Sequence, residues 1–243
     1  MYQLLVKICS KKMIRTSLFL ILLLFVQCDS QKAKPSAMAD RQPETPVISG
    51  QDYITQLVNL NYFDLTDSSE VDSAQLAYRQ AYETAQFLQG KLHDEDLIFT
   101  DNRYFWVDCE ELFEWGGLKT YLDHVKPTFE RLGIPFQVAN EISSGDTKTW
   151  DHTIELNGTQ YVAFQGTFTD TDWSIAYINF IEMLNAELQR HHSEERFYPI
   201  RCGNDGSFVL LSPQQFQFLD RVLPKDGENP VTIATFKLDY VID

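Results

Sequence analysis

The pair Asn157-Gly158 constrains the fold most, because it stands between two β-rich runs in HTIELNGTQYVAFQG. The central residues of a type I′ turn need positive φ angles, which Asn and Gly adopt readily. We therefore expect an antiparallel hairpin here. A second hairpin is predicted where RFYPIRC and SFVLL flank the turn GNDG. Asp205 in GNDG could line a cleft, but Gly, Asn and Asp are the residues a tight turn requires, so we assign it to the turn.

Apolar residues at helical spacing predict the helices that cover these strands. DWSIAYINFIEMLNAELQRHH is apolar around much of its circumference and is expected to be the central helix on the sheet. GLKTYLDHVKPTFERLG is amphipathic, and Pro127 is expected to kink or split its helix. Ser212, Pro213 and Gln215 predict a capping-box start for a later helix. The segments expected to be extended are IFTDNRYFWVD, IPFQVANEI and VTIATFKLDYVI.

This order of elements predicts an α+β fold, a largely antiparallel sheet with packed helices plus a helical N-terminal lobe. The lobe is assigned to residues 50–95 and the α+β domain to residues 96–243. QDYITQLVNLNYF and the stretch from Glu70 to Gln89 supply two helices, joined by DLTDSSEVDS. That acidic turn lacks the central Gly and closing Glu of a calcium loop, so we interpret it as a helix N-cap region.

The N-terminus has the order of an export signal: basic residues, then the apolar run from Leu18 to Val26, then Cys28. The run is too short to cross a bilayer, and Met1 or Met13 could be the start. The tract resembles the lipobox of bacterial lipoproteins. That resemblance implies a signal peptide over 1–27, a palmitate-type lipid on Cys28, and a place in the bacterial cell envelope, on the outer membrane. Polar, Pro-containing residues 28–49 are predicted to be a disordered tether.

The mature chain is strongly acidic. Removal of residues 1–27 takes away Lys7, Lys11, Lys12 and Arg15 and leaves 16 Lys and Arg against 35 Asp and Glu, a net charge of −19. Such a charge argues against nucleic acid and against electrostatic adhesion to anionic lipid. A basic protein partner, a cation or simple solubility remains.

The sequence lacks the usual catalytic motifs of several large enzyme classes. It has no Gly-x-Ser-x-Gly elbow, Ser-x-x-Lys pair, His-Glu-x-x-His helix, Cys-x-x-Cys pair or Walker loop. We therefore assign no catalytic residue and no cofactor. His191, His192, Glu194 and Glu195 could ligate a metal, but neighbouring side chains at a helix end diverge. The histidines suit the negative end of a helix dipole, so no metal is expected.

Carboxylates cluster beside an aromatic residue after the first predicted strand. Asp108, Glu110, Glu111 and Glu114 precede Trp115, an arrangement that could supply an acid/base pair and a sugar platform. An acidic helix start is the favoured interpretation. Our preferred hypothesis is a non-enzymatic binding or accessory module, of which an immunity-like protein is one form, that contacts a basic partner through Glu110, Glu111, Glu114 and Trp115. The alternative is an envelope hydrolase that uses Asp108, Glu110 and Glu111.

Cys109 and Cys202 are the two cysteines of the predicted folded part. Each follows or ends a predicted strand, so they could form a disulfide in an oxidising compartment or remain buried free thiols. The region from YFWVDCEELFEWGGLKTYLDHVKPTFERLGI to ERFYPIRCGNDGSFVLLSPQQFQFL, which contains both, resembles uncharacterised lipoproteins of Bacteroidota. That resemblance brings no activity with it.

Overall fold

The structure is a computed structural model, and it describes residues 47–84, 88, 90–93, 98–224 and 227–242. The predicted signal segment, Cys28 and the tether up to residue 46 lie outside the described residues. Positions 94–97, at the predicted boundary between lobe and domain, also lie outside them. Residues Gln42–Asp243 form one compact unit. Within the described ranges no helix is long and apolar enough to cross a membrane.

Helices and two antiparallel sheets alternate along the chain, as expected for an α+β fold. The elements are α1 (Gly50–Asn59), a 3-10 helix (Tyr62–Leu65), α2 (Val71–Glu83), β1 (Tyr104–Asp108), α3 (Cys109–Phe113), α4 (Gly117–Arg131), β2 (Val138–Gly145), β3 (Thr149–Leu156), β4 (Thr159–Thr167), α5 (Asp172–Arg190), β5 (Arg196–Arg201), β6 (Asp205–Leu211), α6 (Pro213–Val222) and α7 (Ile233–Asp239).

The first sheet has the order β1-β6-β5 and is covered by helices on both faces. Side chains alternate between the faces of a strand, so Phe208 and Leu210 of β6 join the core that contains α4 and α5. Val209 and Leu211 enter the core that contains α1, α2 and α6. The predicted second hairpin is confirmed, because β5 and β6 pair antiparallel around the turn at 202–204.

A buried polar network lies where the N-terminal helices meet this sheet. The Asp101 carboxylate, only 1% exposed, accepts hydrogen bonds from the Tyr62 hydroxyl at 3.0 Å and from the Tyr78 hydroxyl. The Arg103 guanidinium pairs with Glu195 at 2.7 Å and donates to the Tyr62 carbonyl. Because buried charges must be paired or hydrogen-bonded, these contacts fix how helices and sheet fit together.

The second sheet has the order β2-β3-β4 and contains the predicted Asn157-Gly158 hairpin. Both turn residues have positive φ, 50° for Asn157 and 77° for Gly158, as the turn requires. The Asn157 side chain also accepts from the Gln137 N–H at 2.8 Å, which ties the turn to the start of β2. Helix α5 packs against β4, and Asn179 donates to the Ala163 carbonyl at 3.0 Å.

The predicted antiparallel strands form two sheets. Helix α4 is not split at Pro127, since it continues through this residue while Val125 and Phe129 on either side are buried in the core. The alternative expectation of a kink there stays a prediction. One finer expectation was wrong. The segment VTIATFKLDYVI contains helix α7 instead of a strand, because the Thr232 hydroxyl caps its first turn by accepting from the Thr235 N–H at 3.1 Å.

Candidate partner-binding surface

Strand β1 runs directly into the short acidic helix α3. Asp108 is its N-cap, and the Asp108 carboxylate accepts a hydrogen bond from the Glu111 N–H at 2.9 Å. Such a cap satisfies a backbone donor that would otherwise lack a partner. The predicted acidic helix start is therefore confirmed, and Glu110, Glu111 and Glu114 are all exposed on it.

Tyr121 of α4 stabilises the start of α3 through two hydrogen bonds. Its hydroxyl donates to Glu111 Oε2 at 2.8 Å and accepts from the Asp108 N–H at 2.9 Å. Burial raises the pKa of the Tyr121 phenol above its ordinary value, so the hydroxyl keeps its proton and remains a donor. The hydrogen bond to Tyr121 thus positions the Glu111 carboxylate, while the Asp108 carboxylate caps α3.

Trp115 follows α3 and is 59% exposed, a high value for so large an aromatic side chain. Its ring centroid lies 5.8 Å from that of His152 on β3. His152 itself is only 1% exposed. The indole thus rests against a buried ring and offers much of its surface to solvent.

A chain of contacts keeps this ring pair in place. His152 Nε2 lies 2.9 Å from Glu141 Oε1 on β2, and the same oxygen accepts from the Gly116 N–H at 3.2 Å. Gly116 has a φ of 89°, a left-handed conformation that favours glycine. Trp150 stacks on His152 with centroids 4.6 Å apart and an interplanar angle of 24°. The second sheet therefore positions the turn that carries Trp115.

Phe113 at the end of α3 is inserted into the same aromatic cluster. Its ring meets those of Trp150 at 4.8 Å and Phe164 at 5.0 Å, both edge to face. Edge-to-face pairs add stability beyond the burial of apolar area. The acidic helix is thus attached to the second sheet through its apolar side.

Asp205 joins this region although the sequence assigned it only to a turn. It begins β6, is exposed, and is the direct antiparallel partner of Asp108. Adjacent carboxylates at one strand end concentrate negative charge. We call Glu110, Glu111, Glu114, Asp205 and Trp115 the Trp115 surface.

Residues that support this surface were missed by the sequence interpretation. Glu141, Trp150 and His152 come from strands more than 25 positions after Trp115. A usable signal was present in TWDHTIEL, where Trp150, His152 and Ile154 alternate and so share one face of a strand. Which face is the inner one depends on long-range packing.

The candidate metal ligands at the end of α5, His191, His192, Glu194 and Glu195, do not converge on one point. His191 is the C-cap of α5, as expected for the helix end, and its Nε2 lies 4.0 Å from Glu187. Glu195 is instead paired with Arg103. Over the ranges that the structure describes, no group of three or more His, Cys, Asp or Glu residues could hold a metal ion. The absence of a metal stays a prediction.

The carboxylates considered for hydrolysis do not line the cavity of about 580 Å³ that residues such as Asn61, Arg103, Glu195 and Gln215 enclose. Asp108 is used as a helix cap and Glu111 is held by Tyr121. Nothing in this geometry favours an acid/base pair.

Cys109 and Cys202 lie together in the core, both as free thiols. Their sulfur atoms are 2.8 Å apart although 93 positions separate them in the chain. The proximity that the strand ends suggested is thus present.

Comparison with known proteins gave no relationship. Searches against protein-family models, curated proteins and solved structures each returned no match for this chain.

Proposed function

We propose that this chain is an envelope-anchored acidic lipoprotein that acts as a non-enzymatic binding or accessory module and engages a basic protein through the Trp115 surface. The observation that carries the proposal is the exposed indole of Trp115, which packs against His152 and follows three exposed glutamates in the chain. Tryptophan is enriched among the residues that dominate binding energy at protein interfaces. A charged rim around such an anchor adds specificity and speeds encounter.

The charge of the chain supports a basic partner. At −19 after removal of residues 1–27, its field attracts a positively charged protein over roughly one Debye length, about 10 Å at 0.1 M salt. The same field repels nucleic acid, which we exclude as a partner. Four carboxylates of the Trp115 surface are exposed and available for this attraction.

The anchor is proposed from the N-terminal order of basic residues, apolar run and Cys28. A lipid on Cys28 would leave residues 28–49 as a tether, which can reach at most about 70 Å when fully extended. That reach would allow the Trp115 surface to meet a partner away from the membrane.

Replacing Cys28 with Ala is expected to abolish lipid attachment, since no other residue of the tract supplies the sulfur. Metabolic labelling with a palmitate analogue should mark the wild-type chain and leave the variant unlabelled. Fractionation should move the variant out of the outer-membrane fraction. Absence of label on the wild-type chain would contradict the anchor.

The binding role is tested by affinity capture from the native envelope with three versions of the full chain. The surface variant changes Glu110, Glu111 and Glu114 to Gln. The control variant changes Asp64, Asp72 and Asp239 to Asn, exposed residues outside the Trp115 surface. Both variants lose three negative charges, so only the position of the charge differs.

We expect the wild-type chain and the control variant to retain the same basic protein and the surface variant to lose it. Retention should weaken as salt rises from 0.1 M towards 1 M, because the Debye length falls to about 3 Å. If both triple variants lost the basic protein equally, the effect would depend on net charge alone, and this result would contradict binding through the Trp115 surface. Hydrolysis of envelope glycan or peptide that disappears in Glu110→Gln would contradict the non-enzymatic role.

A further inference from the structure

The thiols of Cys109 and Cys202 are in contact with each other in the core of the fold. Cys109 is 0% exposed and Cys202 is 7% exposed. Their Sγ atoms are 2.8 Å apart, whereas a disulfide bond is about 2.05 Å long. A small approach of two side chains would therefore suffice to join them.

The backbone around both residues is held by its own hydrogen bonds. The Cys109 N–H donates to the Asn204 carbonyl at 2.8 Å, which continues the pairing of β1 with β6. The Cys202 N–H donates to the Tyr240 hydroxyl at 2.9 Å, just after α7. The Cys202 thiol also lies 3.8 Å from the Ser174 hydroxyl of α5. The two sulfurs thus meet because the sheet and its helices place them there.

Gly206 leaves the space that the Cys109 sulfur occupies. A Cβ atom at this position would lie 2.7 Å from Cys109 Sγ and 3.0 Å from Val107 Cγ2. Glycine inside a strand weakens it unless a close approach requires the missing side chain. The close approach here is to the sulfur pair.

We propose that Cys109 and Cys202 are a thiol–disulfide site, which a disulfide oxidant of the oxidoreductase or glutathione class closes into an intramolecular bond between the start of α3 and the end of β5. The inference does not rest on the proposed binding function. It concerns a covalent state of the chain that can be measured without any partner.

The order of reaction follows from access and acidity. The hydrogen bond with Cys109 lowers the pKa of the Cys202 thiol. The hydrogen bond with Cys202, together with burial, raises the pKa of Cys109. Because the thiolate is the nucleophile, the less buried Cys202 attacks first.

The two electrons and two protons of the reaction are accounted for by the oxidant. The Cys202 thiol loses its proton, and the resulting thiolate attacks one sulfur of the oxidant disulfide to form a mixed disulfide. The other oxidant sulfur leaves as a thiolate and takes up a proton. Cys109 then gives up its proton and attacks the Cys202 sulfur, and the second oxidant sulfur leaves as a thiolate that takes up the second proton. The protein loses two thiols and the oxidant gains two.

The test treats the full purified chain with oxidised glutathione, blocks free thiols by alkylation and maps tryptic peptides. We expect peptide 104–119 joined to peptide 202–221 within one chain, and separated again by dithiothreitol. Because the bond would close a long loop of chain, the oxidised form should melt about 5 to 15 °C above the reduced form. Cys109 and Cys202 both alkylated after oxidation, or linked to Cys9, Cys28 or a second copy, would overturn the proposal.

Single variants test the order of attack. Cys109→Ala should trap glutathione on Cys202, while Cys202→Ala should react at the fully buried Cys109 at least about ten times more slowly. Equal rates would overturn the assigned order. If either variant fails to fold, the comparison of oxidised with reduced wild-type chain still decides whether the bond forms.

Discussion

Replacing Asp101 with Ala is expected to lower the free energy of unfolding by about 3 to 5 kcal/mol, since the change takes the shared acceptor away from four buried hydrogen-bond donors. The Asp101 carboxylate accepts from the hydroxyls of Tyr62 and Tyr78 and from the backbone N–H groups of Arg103 and Tyr104. Without it, these donors lose their acceptor in the core. Urea denaturation followed by tryptophan fluorescence measures the loss.

Asp101→Asn provides the matched comparison, because its amide oxygen can still accept from the backbone donors. We expect a smaller loss than for Ala. A loss below about 1 kcal/mol for the Ala variant would contradict the structural importance of the network.

The same residue predicts a dependence of stability on pH. Burial raises the pKa of Asp101 above its ordinary value of 3.8. Between pH 3.8 and the folded pKa, the folded chain keeps a proton that the unfolded chain loses. The extra stability linked to this proton is therefore complete below pH 3.8 and is lost as the pH rises through the folded pKa. We expect Asp101→Asn to remove this contribution to the dependence of the free energy of unfolding on pH, which denaturation at a series of pH values measures.

Replacing Gly117 with Ala is the second change with a large expected effect. A Cβ atom at this position would lie 1.6 Å from the Glu111 carbonyl oxygen and 2.6 Å from the Glu111 carbonyl carbon. Both atoms belong to backbone, so the overlap can be relieved only by moving α3 away from α4. We expect a loss of about 3 kcal/mol in the free energy of unfolding, at the upper end of overpacking effects.

Gly203→Ala is the control for Gly117→Ala. Its Cβ would meet only the Asp205 carbonyl oxygen, at 3.9 Å, an ordinary contact. We expect a change within about 0.5 kcal/mol. Equal destabilisation by the two substitutions would contradict the close packing of α3 on α4.

Local signals in the sequence predicted those elements whose cause is local. Asn157 and Gly158 supply the positive φ angles of their turn, and Ser212 with Gln215 forms both hydrogen bonds of the capping box. Helix α5 follows from its apolar spacing. In each case the residues that cause the structure are close together in the chain.

Elements whose cause is distant were predicted less well. The β-branched residues of VTIATFKLDYVI favour a strand, but Phe236 on this segment is buried against Tyr177 of α5 with the chain in helical form. The support of Trp115 depends on Glu141 and His152, which reach it only through the pairing of β2 with β3. Tertiary packing decides such features, so a reading of local pattern misses them.

The most direct test of the binding role is the affinity of the captured basic protein for Trp115→Ala, measured beside Leu238→Ala. Leu238 is 80% exposed on α7 and serves as an apolar control outside the Trp115 surface. We expect Trp115→Ala to weaken binding about 30-fold, in line with loss of a dominant interface residue. Both variants should melt within a few degrees of the wild-type chain. Unchanged affinity of Trp115→Ala, with Leu238→Ala as tight as the wild-type chain, would contradict the proposal that this chain binds its partner through the Trp115 surface.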